Sequence, residues 1–407
     1  MADIPKIRFK GFTEPWEQRK LGDFGKATGG TSIESEFSED GIYKVISIGS
    51  YSENSVYNDQ GIRAIKSDKT SNRVLNRNDL TMILNDKTTS GNIIGRVLLI
   101  EESGIYVYNQ RTERIEINLD EYDSVFLYEM LNAPNIREKI IKQAQGNTQI
   151  YVNWTAISLL KYMIPSKEEQ VKIGEYLHSI SNLITLHQRK CDDTKELKKY
   201  MLQKMFPKNG EKFPEIRFKG FTEAWEQRKL GEVLKERTER AKGDEELLSV
   251  TIANGVIRQI DSEKRNTASE DRSNYKIVKK GDVPYNSMRM WQGAVGNSKY
   301  NGIVSPAYTI LTPTSEANGK FFMELFKKKS TLQIFQRWSQ GLTSDTWNLK
   351  YPILSSIQFA IPSVEEQEKI AEYFSSLDHL ITLHQRKCDT LKELKKYMLQ
   401  NMFPKKG

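Results

Sequence analysis

Arg289-Met290-Trp291-Gln292 follows Tyr285-Asn286 at the end of a predicted strand. An arginine and a glutamine this close together supply the two side chains suited to base edges, Arg to guanine O6 and N7 and Gln to adenine N6 and N7. Lys264-Arg265 lies in a polar loop suited to phosphate oxygens. Earlier in the chain, Asn85-Asp86-Lys87-Thr88-Thr89-Ser90 is a polar loop between predicted strands, and Asn109-Gln110-Arg111 ends another. Any of these loops can equally be ordinary solvated surface. The residue types therefore nominate candidates for contact with DNA without separating readers from bystanders.

Catalytic chemistry is harder to find. No G-x-x-x-x-G-K-[ST] loop is present to cradle a phosphate, and Gly91 and Gly95 read as a strand turn. No glycine-rich loop follows a strand with dinucleotide-like spacing, so neither a nucleotide nor an S-adenosylmethionine pocket is visible. Ser305-Pro306-Ala307-Tyr308 approaches the Asn/Asp-Pro-Pro-Tyr motif that holds a flipped base, but lacks its second proline and is better read as a turn leading into a strand. His187 and Cys191, repeated as His384 and Cys388, share a helix face at i, i+4. Four such groups can bind zinc, but a polar layer inside a helix seam accounts for them with less machinery. No catalytic residue and no metal site is nominated, and the chain is expected to be non-catalytic.

The elements that would position the candidate readers are repeated. Residues 164–208 and 361–405 agree at about three quarters of positions, with Leu186 matching Leu383 at an offset of 197 (383 − 186). Each copy opens Ile-Pro-Ser, where Ser166 or Ser363 can cap a helix and Glu169 or Glu366 stands at capping-box spacing. Each stops at Phe-Pro. The expectation is two long helices, over 164–206 and 361–403, each about 60 Å long at 1.5 Å per residue. A 4-3 alternation marks a coiled-coil seam through Ile173, Leu177, Ile180 and Ile184, and through Ile370, Phe374, Leu377 and Ile381, with Lys198 in the one gap. The two helices most simply pair antiparallel, relating the two halves by a pseudo-two-fold axis. A second apolar flank, Tyr176, Leu183, Leu197 and Tyr200 with Tyr373, Leu380, Leu394 and Tyr397, points to a partner surface on each copy.

A second repeat precedes each variable region. Residues 7–22, IRFKGFTEPWEQRKLG, recur at 216–231 at an offset of 209 (216 − 7). The chain thus reads as opening repeat 1–22, variable domain 23–160, long helix 164–206, linker and second opening repeat 207–231, variable domain 232–359 and long helix 361–403. Trp16 and Trp225 read as local core anchors. Short β-branched and aromatic runs such as DLTMIL, RIEINL, LLSVTI and SPAYTILTP predict strands. Residues 121–145 and the segment KFFMELFKKKSTLQIFQRWSQG predict helices, the former broken at Pro134. The expected fold class is α+β: two mixed domains joined by two long antiparallel helices.

Composition limits the setting. The 407 residues are 38% hydrophobic and 28% charged, with net charge +8, which is compatible with nucleic acid without requiring it. No apolar run approaches a membrane span, no apolar signal core opens the chain, and two cysteines make no disulfide scaffold, so a reducing cytoplasm is expected.

This organisation resembles the specificity subunit of type I restriction-modification systems over essentially the whole chain. The likeness is carried by IRFKGFTE-x-W-EQRKLG at both unit starts, IPS-x-EEQ at both helix starts and LKKYMLQ-x-MFPK at both helix ends. It implies that the variable domains are target-recognition domains, each reading one half of a bipartite double-stranded DNA site. It implies that the helices act as spacer and docking sites for two methyltransferase subunits, which carry S-adenosylmethionine and methylate adenine at N6. A separate restriction subunit would join through the assembled complex, and no cofactor is expected in this chain. On this basis Lys87, Thr88, Thr89, Ser90, Asn109, Gln110, Arg111, Lys264, Arg265, Arg289, Trp291 and Gln292 become the candidate DNA contacts. Two other classes stay open: a coiled-coil adaptor with protein-binding domains, and a self-contained DNA methyltransferase.

Overall fold

The computed structural model describes residues 5–87, 90–208, 210–241, 245–262, 271–344 and 346–404. Its contacts divide into two units, residues 1–188 with 386–407, and residues 189–385. Each long helix is therefore shared: its first half belongs to one unit and its second half to the other.

The long helices are 38 residues each, Lys167–Lys204 and Val364–Asn401. They start three residues after 164 and 361 because Ile164 and Ile361 still end strands, paired with Glu17 and Glu226. The proline and serine that follow form the turn into the helix. Half of the expected capping box forms: the backbone N–H groups of Glu169 and Glu366 face the Ser166 and Ser363 hydroxyls at 3.4 Å. The glutamate side chains do not return to the cap. Glu169 instead takes a bidentate pair from Arg8, both distances 2.7 Å, and Glu366 takes the same pair from Arg217. Two parallel charge-assisted bonds outcompete a single bond to a backbone N–H. The next residue is equally committed. Gln170 donates to Pro165 O and Glu121 O and accepts from Asp123 N–H; Gln367 repeats this with Pro362, Glu316 and Asn318. The EEQ triplet thus fastens each helix start to its opening motif on one side and to its variable domain on the other.

In the first unit, strand Glu17–Lys20 pairs antiparallel with Lys161–Ile164. A four-stranded antiparallel sheet runs in the order Gly25–Gly29, Thr112–Ile117, Leu80–Ile83, Val97–Leu99. A second, three-stranded sheet holds Arg63–Ala64, Tyr43–Ile46 and Tyr106–Tyr108. Helices Ser124–Asn132 and Pro134–Ile141 break at Ala133, where the proline opens the second helix. The core gathers Trp16, Phe24, Phe126, Ile173 and Leu177, and Met402 and Phe403, which follow the second long helix, pack into it.

The second unit repeats the plan. Glu226–Lys229 pairs with Gln358–Ile361, and a three-stranded sheet runs Leu234–Glu236, Tyr308–Pro313, Val283–Asn286. Helices Gly319–Lys327 and Lys329–Trp338 break at Lys328, whose backbone is extended as at Ala133 although no proline follows. Met205 and Phe206, which follow the first long helix, pack with Trp225, Phe321 and Phe374. The run AVGNSKY contributes only an isolated bridge at Val295; the strand lies just after it, at Gly302–Val304.

Within each unit the two helix halves run antiparallel. In the first, Lys395 meets Ser181 and the Cys388 thiol meets Gln188; in the second, Lys198 meets Asp378 and the Cys191 thiol meets Gln385. The gap in the seam is filled by a half-buried cation. Lys395 Nζ lies 2.8 Å from Glu129 and 2.7 Å from Ser181 Oγ, and Ser181 donates to Glu129 at 3.1 Å. In the second unit Lys198 Nζ lies 3.1 Å from Glu324 and 2.8 Å from Asp378. Glu129 and Glu324 are both only 1% exposed. Burial opposes the Lys198 charge, but Glu324 and Asp378 overcome it and hold the ammonium above its ordinary value. Ile173, Leu177, Ile180, Ile370, Phe374 and Leu377 are buried, while Ile184 and Ile381 are half-buried.

Candidate nucleic-acid interface

In the first unit three chain segments meet at one end of the four-stranded sheet. Asn85–Asp86 pairs with Ile150–Tyr151, the Leu84 N–H reaches Arg111 O at 3.0 Å, and the Val152 N–H reaches Leu84 O at 2.8 Å. Lys87, Ser90, Gln110 and Arg111 are exposed there. Arg111 stands at φ 68°, a left-handed conformation in the turn, and donates to Gln149 at 3.3 Å. Gln110 donates to Glu34 at 3.2 Å. Asn109 lies differently: it is buried, and its carboxamide oxygen accepts the Ile33 N–H at 3.1 Å, so it builds the loop rather than facing outward. Thr88 and Thr89 lie outside the described residues. Two residues beyond Arg111, the carboxyl of Glu113 is buried with no ion pair among the described residues, and that burial pushes it up to about 7.

The corresponding end of the second unit is built from 286–293, 340–344 and 346–349. Arg289 and Gln292 are exposed on either side of the buried Met290. Trp291 is half-buried, donates to Met288 O at 3.1 Å, and meets Trp347 edge-to-face at 5.2 Å. Gly293 at φ 88° closes the short turn. Lys264 and Arg265 lie outside the described residues. Ser305–Ala307 forms a turn, with the Tyr308 N–H on Ser305 O at 3.1 Å, and the strand begins at Tyr308.

Sequence reasoning missed one component of both surfaces. The exposed stretches 145–149 and 340–344 are hairpin tips, closed by paired backbone bonds between Gln145 and Tyr151 and between Gln340 and Asn348. The signal was available, because Gln-Gly-x-Thr occurs at both 145–148 and 340–343. Of the apolar flank, Leu183, Leu197, Tyr200, Leu380, Leu394 and Tyr397 are exposed. Tyr176 and Tyr373 are half-buried under Phe9 and Phe218 of their own units, with ring centres at 5.7 and 6.0 Å. Among the described residues no cluster of three or more His, Cys, Asp or Glu is placed to hold a metal, and no helix is long and apolar enough to cross a membrane.

Residues 13–195 and 222–393 each match the family described as Type I restriction modification DNA specificity domain. The chain belongs to that family. Among specificity chains, it is 24% identical to the type I restriction enzyme MjaVIII specificity subunit of Methanocaldococcus jannaschii over 95% of its own length and 91% of that protein. It is 25% identical to the HindI specificity subunit of Haemophilus influenzae over a shorter stretch, 31% of this chain and 29% of that one. The solved specificity subunit of M. genitalium has the same fold, with TM-score 0.66 at 15% identity over 98% of this chain and 99% of that one. The specificity domain occurs twice in this one chain, and both matches run from the opening motif into a long helix.

Proposed function

We propose that the chain is the DNA-recognition and scaffold subunit of a type I restriction-modification complex. Each variable domain reads one half of a bipartite site, through the loops at the sheet end of its unit. The two long helices set the spacing and dock two methyltransferase subunits, which bring S-adenosylmethionine and perform the adenine methylation; restriction subunits join through that assembly. The chain itself supplies recognition and no chemistry. One observation carries this reading: two matches to a DNA specificity domain fall on one chain whose fastening residues are repeated, Arg8 with Arg217, Glu169 with Glu366 and Gln170 with Gln367, while its loop residues differ. A constant mount with two unlike readers is what a two-part asymmetric site requires.

The test is to express the chain with its methyltransferase partner and map methylated adenines, then replace residues 23–160 with the matching domain of a relative. One half of the methylated sequence should change and the other should stay. A change in both halves, or in neither, sinks independent reading. An adaptor without DNA recognition would give no salt-dependent DNA binding by the complex.

A further inference from the structure

The variable domains differ wherever specificity is expected to lie, yet both keep the Gln-Gly-x-Thr tip. Hairpin geometry explains part of it. Gly146 at φ 97° and Gly341 at φ 145° occupy backbone conformations that a side chain disfavours, and an added Cβ would meet the carbonyl of Gln149 or Thr346. It does not explain the polar side chains. Those of Gln145, Thr148 and Gln340 make no hydrogen bond to another described residue, and the Thr343 hydroxyl meets only Thr346. All of 145–149 and 340–344 are exposed. Each tip also touches the loop that holds candidate base readers: Gln149 accepts from Arg111, and Trp347 packs on Trp291.

Residues held constant between two domains cannot carry the difference between two half-sites. What two different half-sites share is the sugar–phosphate backbone, and exposed Gln, Thr and glycine N–H groups are donors suited to phosphate oxygens. We infer that the tips 145–148 and 340–343 grip the DNA backbone beside each half-site and set the register in which the neighbouring loops read bases. This rests on the DNA-recognition reading above.

The experiment uses the full chain assembled with its methyltransferase partner. Thr148→Lys and Thr343→Lys are made separately, with Thr148→Glu as the opposite charge. Leu119→Lys serves as control, because Leu119 follows the far end of strand Thr112–Ile117 from Arg111. Affinity is measured against salt on duplexes with and without the methylated site. Each tip lysine should steepen the slope of log K on log salt by about one on both duplexes. Thr148→Glu should weaken binding to both, Leu119→Lys should change neither, and the methylated sequence should stay the same. Unchanged slopes in both tip lysines overturn the inference, as does an altered methylated sequence, or methylation lost while binding is kept. An unsubstituted complex that methylates no bipartite site overturns the recognition reading itself, and this inference with it.

Discussion

Lys198 and Lys395 are the residues whose role changed most between sequence and structure. In the heptad pattern each is a polar interruption; in the fold each neutralises a buried glutamate of the variable domain its helix half packs against. Replacing either with Met should therefore destabilise its unit by about 3–5 kcal/mol, since it strands a buried carboxylate without a countercharge. Lys198→Met should be the more damaging near neutral pH, because it leaves both Glu324 and Asp378, where Lys395→Met leaves Glu129 with a serine. Adding Glu324→Gln to Lys198→Met should recover much of the loss; chemical denaturation of the single and double variants would measure it, and a loss that stays additive refutes the coupling. Glu113 makes a separate prediction. Its carboxyl is raised from an ordinary 4.5 to about 7 by burial. It therefore binds its proton more readily when folded, so its contribution is complete below about 4.5 and disappears as pH rises through about 7. Glu113→Gln should leave melting nearly unchanged at pH 4 and raise it at pH 8, by at most ~3 kcal/mol of stability. Equal effects at both pH values would show that the carboxyl titrates normally.

At the scale of elements, Gly174 shows how the frame adapts to its two domains. A Cβ there would lie 2.8 Å from the Phe126 backbone nitrogen and 2.8 Å from Asp123 Oδ1, at the capped start of helix Ser124–Asn132. The second copy has room for Ala371, which is buried at the matching place. Gly174→Ala should lower stability by about 1–3 kcal/mol through overpacking, against the gain of about 1 kcal/mol that alanine normally gives a helix. A rise in melting temperature would show that the two helices do not approach so closely. The long helices were legible because apolar periodicity, a capping serine and a terminal Phe-Pro all agree over 38 residues. The first-unit helix break was legible from Pro134; its counterpart at Lys328 was not, because tertiary packing alone sets that extended residue. Strands Glu17–Lys20 and Glu226–Lys229 escaped because EQRK is polar throughout and lies in a two-stranded pair, so no apolar alternation marks it. The candidate reader loops were only half legible. Composition located Arg111 and Arg289, but nothing local told Asn109, whose carboxamide is turned inward to Ile33, from an outward-facing neighbour.

At the scale of the whole molecule, the repeat argues that spacing is a property of the long helices. Each unit is complete only when it combines the first half of one long helix with the second half of the other, and the chain passes between units inside both helices. Any change in helix length at those passages must therefore be made in both to keep each unit's pairing, Lys395 with Ser181 and Lys198 with Asp378. Seven residues inserted after Gln188 and seven after Gln385 preserve the heptad phase and leave every contact within a unit in place. They add about 10.5 Å of helix at 1.5 Å per residue. That is close to three base pairs at about 3.4 Å each along a strand. The doubly extended chain, expressed with its methyltransferase partner, should methylate both original half-sites separated by a spacer about three base pairs longer. An insertion in one helix alone should disturb the pairing and abolish methylation. Mapping methylated adenines reads both outcomes, and an unchanged spacer in the doubly extended chain would mean that something other than the helices measures the distance.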